Sequence, residues 1–187
     1  MSTVLTGAFE KPNRRLGLPG SSAAAFRLPD TQGKLVSLAS MRGSVVVLCF
    51  APTPSSKPAD DEVRRLAELG REYAHNPDVK LLSIFSGTED LSSEDLRMVR
   101  NLASGAGPWC QTLLDPSWRI AQRYCIQDMP TFLVIDTTGV IRYRGSVDDP
   151  SPDAPLASTS FNSMIDLLLA ERPHPDQPTP AVLSKIK

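Results

Sequence analysis

Residues 45–62, VVVLCFAPTPSSKPADDE, constrain the fold of this chain more than any other stretch. The stretch begins with a short β-branched and apolar run, which is typical of a strand covered on both faces. Pro52, Pro54 and Pro58 end that strand and keep the following loop out of helix. The acidic residues at 60–62 favour a helix N-terminus because they complement the helix dipole. Many α/β proteins place an anion or a reactive thiolate at such a junction of strand, loop and helix.

The apolar periodicity of the rest of the chain predicts strands and helices in alternation. Strands are predicted at 26–30, 35–38, 45–51, 79–85, 109–114, 130–136 and 140–144. Helices are predicted at 59–75, 91–103, 117–124 and 161–171. The first two strands form a hairpin, with Gly33 at the turn position that needs a positive φ. This order predicts an α/β three-layer sandwich, in which helices flank a central mixed β-sheet and a β-hairpin extends the N-terminus.

The length of 187 residues predicts one domain with tails. Residues 1–24 lack clear periodicity, so we expect an N-terminal arm that is wrapped on the surface or disordered. The predicted domain covers residues 25–171 and carries a proline-rich acidic insert at 148–160. Residues 172–187 are predicted to be a disordered proline-rich tail.

Composition and charge argue against several classes of protein. The net charge of −1 gives no electrostatic reason to expect binding to nucleic acid or to an anionic membrane. No run of about 18 apolar residues exists, so no transmembrane helix is expected. The first 25 residues lack a continuous apolar core, which argues against a signal peptide and makes the cytoplasm the default compartment. A mature periplasmic or organellar form is the alternative.

The cysteine and histidine content argues against disulfide and metal sites. Three cysteines are too few for a disulfide framework, and no Cys-x-x-Cys pair occurs. The two histidines, His75 and His174, lie far apart and have no ligand spacing around them. We therefore expect no structural zinc site and no cofactor.

Two strings in the sequence resemble the redoxin branch of the thioredoxin fold. They are FRLPDTQGKLVSLASMRGSVVVLCFAP at 26–52 and LLDPSWRIAQRYCIQDMPTFLVIDTTGVIRYRG at 113–145. This branch includes peroxiredoxins of the AhpC/TSA type and TlpA-like thiol:disulfide reductases, and the similarity covers about residues 20–171. The resemblance implies a thioredoxin-like fold. It also implies a cis bond between Met129 and Pro130, because Pro130 stands where the family keeps a cis-proline beside its active site.

The loop after the first buried strand resembles the peroxiredoxin active site in all but its reactive residue. The family pattern Phe-x-Pro-x-x-x-Thr/Ser-x-x-Cys-x-x-Glu is matched by Phe50, Pro52, Ser56 and Glu62. The resemblance then places the reactive cysteine of the family at Ala59. Alanine cannot ionise, so the thiolate on which thiol redox chemistry depends is absent from this position.

A second alignment of the same loop follows the thiol:disulfide reductases. Their Cys-x-x-Cys pair then falls near Pro54 and Lys57, and the catalytic thiols are again absent. The loop itself resembles the peroxiredoxins more closely, whereas Pro130 occupies a position at which a peroxiredoxin has arginine.

The cysteines outside the loop are the remaining candidates for thiol chemistry. Cys49 lies inside the predicted buried strand and is interpreted as a core residue. Cys110 is interpreted as a core or edge residue, with a reactive role as the alternative. Cys125 takes the glycine position of the family just past a helix end, so we expect mild strain there or a changed cap. A disulfide between Cys110 and Cys125 is geometrically conceivable, although no spacing rule demands it.

Four further side chains receive the default interpretation for their residue type. Trp109 and Trp118 are expected to be core anchors. Arg142 and Arg144 alternate on one strand face and are expected to be solvated.

Two functions of different classes are therefore open. The first is a redoxin-family protein without peroxidase or disulfide-exchange activity, which binds a protein partner or supports an assembly through the former active-site groove at 52–59 and 128–131. Its site residues are Pro52, Ser56, Ala59 and Pro130. The alternative is a thiol-dependent oxidoreductase or peroxiredoxin-like antioxidant protein that uses Cys125 or Cys110.

Overall fold

The computed structural model describes residues 17–51, 60–87, 92–146 and 161–171. In chain order the described elements are β1 (Arg27–Pro29), β2 (Leu35–Ser37), a 3₁₀ helix (Leu38–Met41), β3 (Val45–Ala51), α1 (Asp60–Tyr73), β4 (Val79–Ser86), α2 (Ser93–Ala106), β5 (Cys110–Asp115), α3 (Arg119–Arg123), β6 (Thr131–Ile135), β7 (Ile141–Gly145) and α4 (Phe161–Ala170). Within these residues five strands form a sheet in the order β5-β4-β3-β6-β7, and β1 pairs with β2 in a separate hairpin. The sheet is mixed, since β3, β4 and β5 run parallel while β6 and β7 form antiparallel pairs.

Strand β3 lies at the centre of the sheet and is buried along its whole length. Its odd-numbered residues 45–51 pack in one apolar cluster with side chains of α1, α2 and α4. Its even-numbered residues 46–50 pack on the opposite face with the β1–β2 hairpin, the 3₁₀ helix and α3. This alternation follows from the two-residue period of a strand. The predicted α/β three-layer sandwich with a mixed sheet and an N-terminal hairpin is thereby confirmed.

The ends of the elements lie within a few residues of the predicted bounds. Helix α2 begins after Ser92, whose Oγ accepts a hydrogen bond from Asp95 N at 3.1 Å. Ser92 N donates in return to Asp95 Oδ2 at 3.1 Å, so the two residues form a capping box. The hairpin turn contains Gly33 with φ 83, as the turn chemistry predicts.

Residues 17–24, the described part of the predicted N-terminal arm, follow the outer edge of β7. Gly20 N donates to Ile141 O at 2.7 Å, and Ile141 N donates to Ser21 O at 2.9 Å. Ala23 N donates to Gly139 O at 2.9 Å. These bonds satisfy backbone groups that an edge strand would otherwise leave without partners.

The two tryptophans are not core anchors, contrary to the expectation from their residue type. Trp109 is 36% exposed and Trp118 is 45% exposed. The Trp109 ring occupies the space that side chains at Gly70 and Gly107 would need, and the Trp118 ring does the same at Gly87. Each indole ring therefore packs against the backbone of a glycine at the protein surface, and only part of the ring is shielded from solvent.

Tyr124 connects three parts of the fold on the hairpin side of the sheet. Its side chain is fully buried at the end of α3, and its ring lies 5.5 Å from that of Phe50 in β3. Its hydroxyl donates to Ala24 O at 2.8 Å, which attaches the N-terminal segment to this core. Burial raises the pKa of Tyr124, so the hydroxyl remains a donor.

Replacing this hydroxyl tests how much the attachment contributes. Tyr124→Phe should lower the free energy of unfolding by about 1–3 kcal/mol, because Ala24 O would remain buried without its donor. Urea denaturation at a constant m-value measures the change.

Tyr73→Phe is the matched control. Its hydroxyl donates to Asp166 Oδ1 at 3.0 Å, and Asp166 is exposed, so water can replace the lost donor. We expect a loss below about 1 kcal/mol for this variant. Equal losses in the two variants would contradict a special role for the Tyr124 hydroxyl.

Candidate functional site

The candidate site lies at the edge of the sheet where β3, β4 and β5 end and β6 begins. Parallel pairing places Ala51 opposite Phe85, and antiparallel pairing places Phe50 opposite Thr131. Pro130 directly precedes Thr131 and therefore lies beside the end of β3. The Met129–Pro130 peptide bond is cis, which confirms the expectation drawn from the resemblance.

The segment 128–131 forms a tight turn before β6. Thr131 Oγ1 donates to Asp128 O across this turn. Asp128 is exposed, whereas Met129 and Pro130 are half-buried. The Met129 side chain packs against the hairpin-side core. The backbone N–H and C=O of Met129 make no hydrogen bond within the part of the chain that the structure describes.

The loop expected to face this turn lies outside the described residues. It includes Pro52, Ser56 and Ala59, and also Pro54 and Lys57 from the second alignment. Their placement relative to Pro130 therefore remains a prediction. The structure describes only the point at which the loop leaves the sheet. This point is Ala51, which lies beside Phe85 and Pro130.

Cys49 and Cys110 are both buried in the sheet. Cys49 lies in the central strand between Ser83 and Phe132 and is 0% exposed. Cys110 begins β5 and is 6% exposed. Burial raises the pKa of the Cys110 thiol to about 11, although hydrogen bonding to Ser83 acts in the opposite direction. A thiol in this state is almost entirely protonated at neutral pH and is a poor nucleophile.

Cys125 differs from the other two cysteines because its side chain is only half-buried. It follows the end of α3 and has φ 51, in the left-handed region that glycine favours. The strain expected at this family glycine position is therefore present. None of the three cysteines is in a disulfide, so the conceivable bond between Cys110 and Cys125 is not formed.

Arg144 holds the end of α3 in place, which sequence reasoning missed. Its Nη1 donates to Tyr124 O at 2.7 Å and to Gly17 O at 2.9 Å, and its Nη2 donates to Cys125 O at 2.7 Å. Desolvation lowers the pKa of Arg144, and interaction with Cys125 acts in the opposite direction. No local sequence pattern predicts these hydrogen bonds, because the acceptors are carbonyls that lie 19 to 127 residues away in the chain.

The expectation of a solvated charge is wrong only for Arg144, which is half-buried, whereas the Arg142 side chain is 46% exposed. Its Nε donates to Asp136 Oδ2 at 2.7 Å. Burial of Asp136 disfavours ionisation, but hydrogen bonds from Val140 N, Arg142 and Thr138 outweigh it and hold the pKa of this carboxyl below its usual range. The ion pair therefore fixes the β6–β7 turn and leaves Arg142 no evident role at the site.

Neither a metal centre nor a membrane span is found in the described parts of the chain. In those residues no three His, Cys, Asp or Glu side chains are grouped so that they could hold a metal ion. No described helix is both long enough and apolar enough to cross a bilayer.

Solved structures with the same architecture come from several bacteria. An uncharacterized conserved protein from Geobacillus kaustophilus is 22% identical with a TM-score of 0.68, over 87% of this chain and 88% of its own. A thiol-disulfide oxidoreductase from Bacteroides fragilis is 24% identical with a TM-score of 0.56, over 66% of this chain and 89% of its own. The thioredoxin domain of a thiol-disulfide oxidoreductase from Bacteroides vulgatus is 17% identical with a TM-score of 0.59, over 81% and 96%.

Sequence comparison identifies the family. No curated protein is significantly similar to the chain. The sequence profile of the AhpC/TSA family, however, matches residues 19–144, which is well over half of the chain. This match covers the first string that resembled the redoxins and all but the last residue of the second, and it extends from the N-terminal segment into β7. The chain has a thioredoxin-like fold and belongs to the AhpC/TSA family.

Proposed function

We propose that this AhpC/TSA-family protein binds a protein partner through the groove at 52–59 and 128–131 and has no peroxidase or disulfide-exchange activity at that groove. One observation carries the proposal. The turn with the cis Met129–Pro130 bond is retained beside the end of β3, while the connection that leaves β3, PTPSSKPA, contains no cysteine.

Without a thiol in residues 52–59, neither peroxide reduction nor disulfide exchange can begin at this loop, whichever alignment of the loop is correct. Peroxide reduction begins when a thiolate sulfur takes an oxygen atom from the peroxide, and disulfide exchange begins when a thiolate attacks a disulfide sulfur. Residues 52–59 offer three hydroxyls, one from a threonine and two from serines, and one lysine as polar side chains. No hydroxyl oxygen can form a disulfide, and none of the three is acidic enough to replace a thiolate at neutral pH.

The turn at 128–131 supports a binding role that needs no thiol. Asp128 is exposed, Met129 is half-buried, and the backbone groups of Met129 make no hydrogen bond within the described residues. An extended segment of a partner can hydrogen-bond to such groups and place its side chains beside Met129. The absence of catalysis does not weaken these contacts, because they depend only on the scaffold.

The second candidate function is thiol chemistry at Cys125. One observation favours Cys125 over Cys110. Its side chain is half-buried rather than buried. Both functions predict the same fold, so only activity measurements separate them.

A peroxide assay separates the two candidates. With hydrogen peroxide and an excess of dithiothreitol, we expect wild type and Cys125→Ser to consume peroxide at the same rate as dithiothreitol alone, because no reactive thiol faces the groove. Turnover in the wild type that disappears in Cys125→Ser would overturn the first proposal and support the Cys125 candidate.

Restoring a thiol tests the alignment of the loop. Ala59→Cys should produce a thiol with a pKa at least about one unit below the unperturbed value of about 8.5, because position 59 directly precedes the N-terminus of α1. The ultraviolet absorbance of the thiolate, followed against pH in a Cys125→Ser background, measures it.

Pro54→Cys in the same background is the matched control, since the alternative alignment puts a thiol near that position. A pKa near the unperturbed value for Ala59→Cys, with a lowered value for Pro54→Cys, would reject the peroxiredoxin alignment.

Partner binding is tested by site-specific photo-crosslinking. A photoreactive amino acid at Asp128, which is exposed beside the cis-proline, should give a discrete adduct in cells that naturally produce the protein. The same amino acid at Arg100, exposed on α2, is the control. The proposal requires at least a fivefold stronger adduct from position 128. Equal labelling at both positions, or no adduct from position 128, would contradict it.

A further inference from the structure

A groove rich in arginine lies between the hairpin and α3, apart from the cis-proline turn. One wall is the segment 25–29, which includes β1, and the other is Pro116 with α3. The cavity has a volume of about 530 Å³. Arg27 lies on the first wall and Arg119 and Arg123 on the second, and all three are exposed. We refer to this cavity as the arginine groove.

The positive charge of the arginine groove is not neutralised by the described residues. No acidic side chain lines it. Arg27 and Arg119 make no ion pair and no side-chain hydrogen bond within the described chain. Arg123 uses Nη1 to donate to Ala25 O at 3.1 Å, which connects the two walls and leaves its other donors available.

Two acidic residues lie close to the arginine groove in sequence, but both carboxylates already accept hydrogen bonds from other groups. Asp115 is buried, and its Oδ2 accepts from Ile120 N, Ala121 N and Ser86 Oγ at 3.0 to 3.1 Å. Asp30 Oδ1 accepts two backbone N–H groups of its own turn, at 2.8 and 2.9 Å. Three cations therefore line the groove, although the net charge of the chain is −1. It is this local positive charge that attracts an anionic partner.

The backbone beside Arg27 adds a second recognition element. In the hairpin, Leu38 N donates to Phe26 O at 3.3 Å and Asp30 N donates to Lys34 O at 2.8 Å. Hydrogen-bonded pairs alternate along an antiparallel ladder, so Arg27 occupies a pair that is not hydrogen-bonded with Ser37. The N–H and C=O of Arg27 consequently face away from β2, toward the side on which Asp30 bridges to Leu113 of β5. An extended segment in the groove can hydrogen-bond to them at this end of β1.

We propose that the arginine groove binds an extended acidic segment of a partner protein, with two carboxylates separated by one residue. Arg119 and Arg123 are one helical turn apart, a rise of about 6 Å. Carboxylates at alternate positions of an extended peptide are about 6.7 Å apart on one side of the chain. Each can pair with one guanidinium, while the peptide backbone follows the edge of β1 at Arg27.

Other anionic ligands fit less well. A single phosphate is too small to bridge two guanidinium groups one turn apart while also reaching Arg27. Nucleic acid needs an extended basic surface, whereas the sequence pI of this chain is about 6.1. This second surface does not depend on the function proposed for the cis-proline groove, so either can fail without the other.

The test uses a fluorescein-labelled peptide, Gly-Ser-Glu-Val-Glu-Val-Gly, and the full chain at 50 mM salt. Fluorescence anisotropy should give a dissociation constant of about 100 µM or tighter. The double variant Arg119→Gln/Arg123→Gln should weaken binding at least about tenfold, because it removes both proposed carboxylate partners.

The matched control is Arg97→Gln/Arg100→Gln on α2, which changes the net charge by the same amount at exposed positions. It should change the affinity less than about twofold. A peptide with Gln in place of both Glu residues should bind at least about tenfold more weakly to the wild type. Circular dichroism and urea denaturation of both double variants check that each remains folded.

Four results would overturn the proposal. They are the absence of peptide binding by the wild type, equal losses in the two double variants, complete displacement of the peptide by 1 mM inorganic phosphate, and concentration-dependent self-association that is abolished by Arg119→Gln/Arg123→Gln. The third result would assign the arginine groove to a small anion, and the fourth to a second copy of the chain.

Discussion

The complete burial of β3 is the constraint on which the rest of the structure depends. Every residue of Val45–Ala51 is at most 2% exposed, so the strand must be covered by a separate layer on each face. The helical layer and the hairpin layer exist because successive residues of this strand point in opposite directions. The register with β4 and β6 then fixes Ala51 opposite Phe85 and Phe50 opposite Thr131. A candidate site beside Pro130 is therefore a consequence of how the core is built.

The parts of the fold that sequence reasoning could predict are those specified by local pattern. The β-branched run of β3, the apolar period of α1 and the turn at Gly33 each carry their own signal, and the resemblance supplied the cis bond at Pro130. Side chains whose partners are distant in sequence carry no such signal. The Trp118 ring packs against Gly87, 31 residues away. Arg144 is bound to backbone carbonyls, which every residue has, so the sequence does not mark them as its partners. The loop holding Ala59 lies outside the described residues, so this part of the site rests on the sequence alone.

A redoxin scaffold can lose its thiol without losing its fold, because the two depend on different residues. The core clusters are formed by strands and helices, and residues 52–59 connect those elements. Cys49 and Cys110 remain because they pack in the interior, where a small apolar side chain is sufficient. Cys125 remains at a left-handed position fixed by the Arg144 contacts to the end of α3. Cys49 and Cys110 thus have a structural explanation that needs no redox chemistry, whereas Cys125 stands at a left-handed position that glycine favours.

The two proposed surfaces rely on different physical interactions, and this difference decides how they can operate together. The cis-proline turn offers backbone groups of Met129 beside an apolar side chain, so its contacts would be short-ranged and little affected by salt. The arginine groove offers three exposed cations, whose attraction is long-ranged at low ionic strength and screened within about 8 Å at physiological ionic strength. A partner with an acidic segment beside a plain extended segment could be captured first by charge and then held by hydrogen bonds. Such a division needs two surfaces on one core, and residues of both surfaces pack in or against the same apolar cluster as β3.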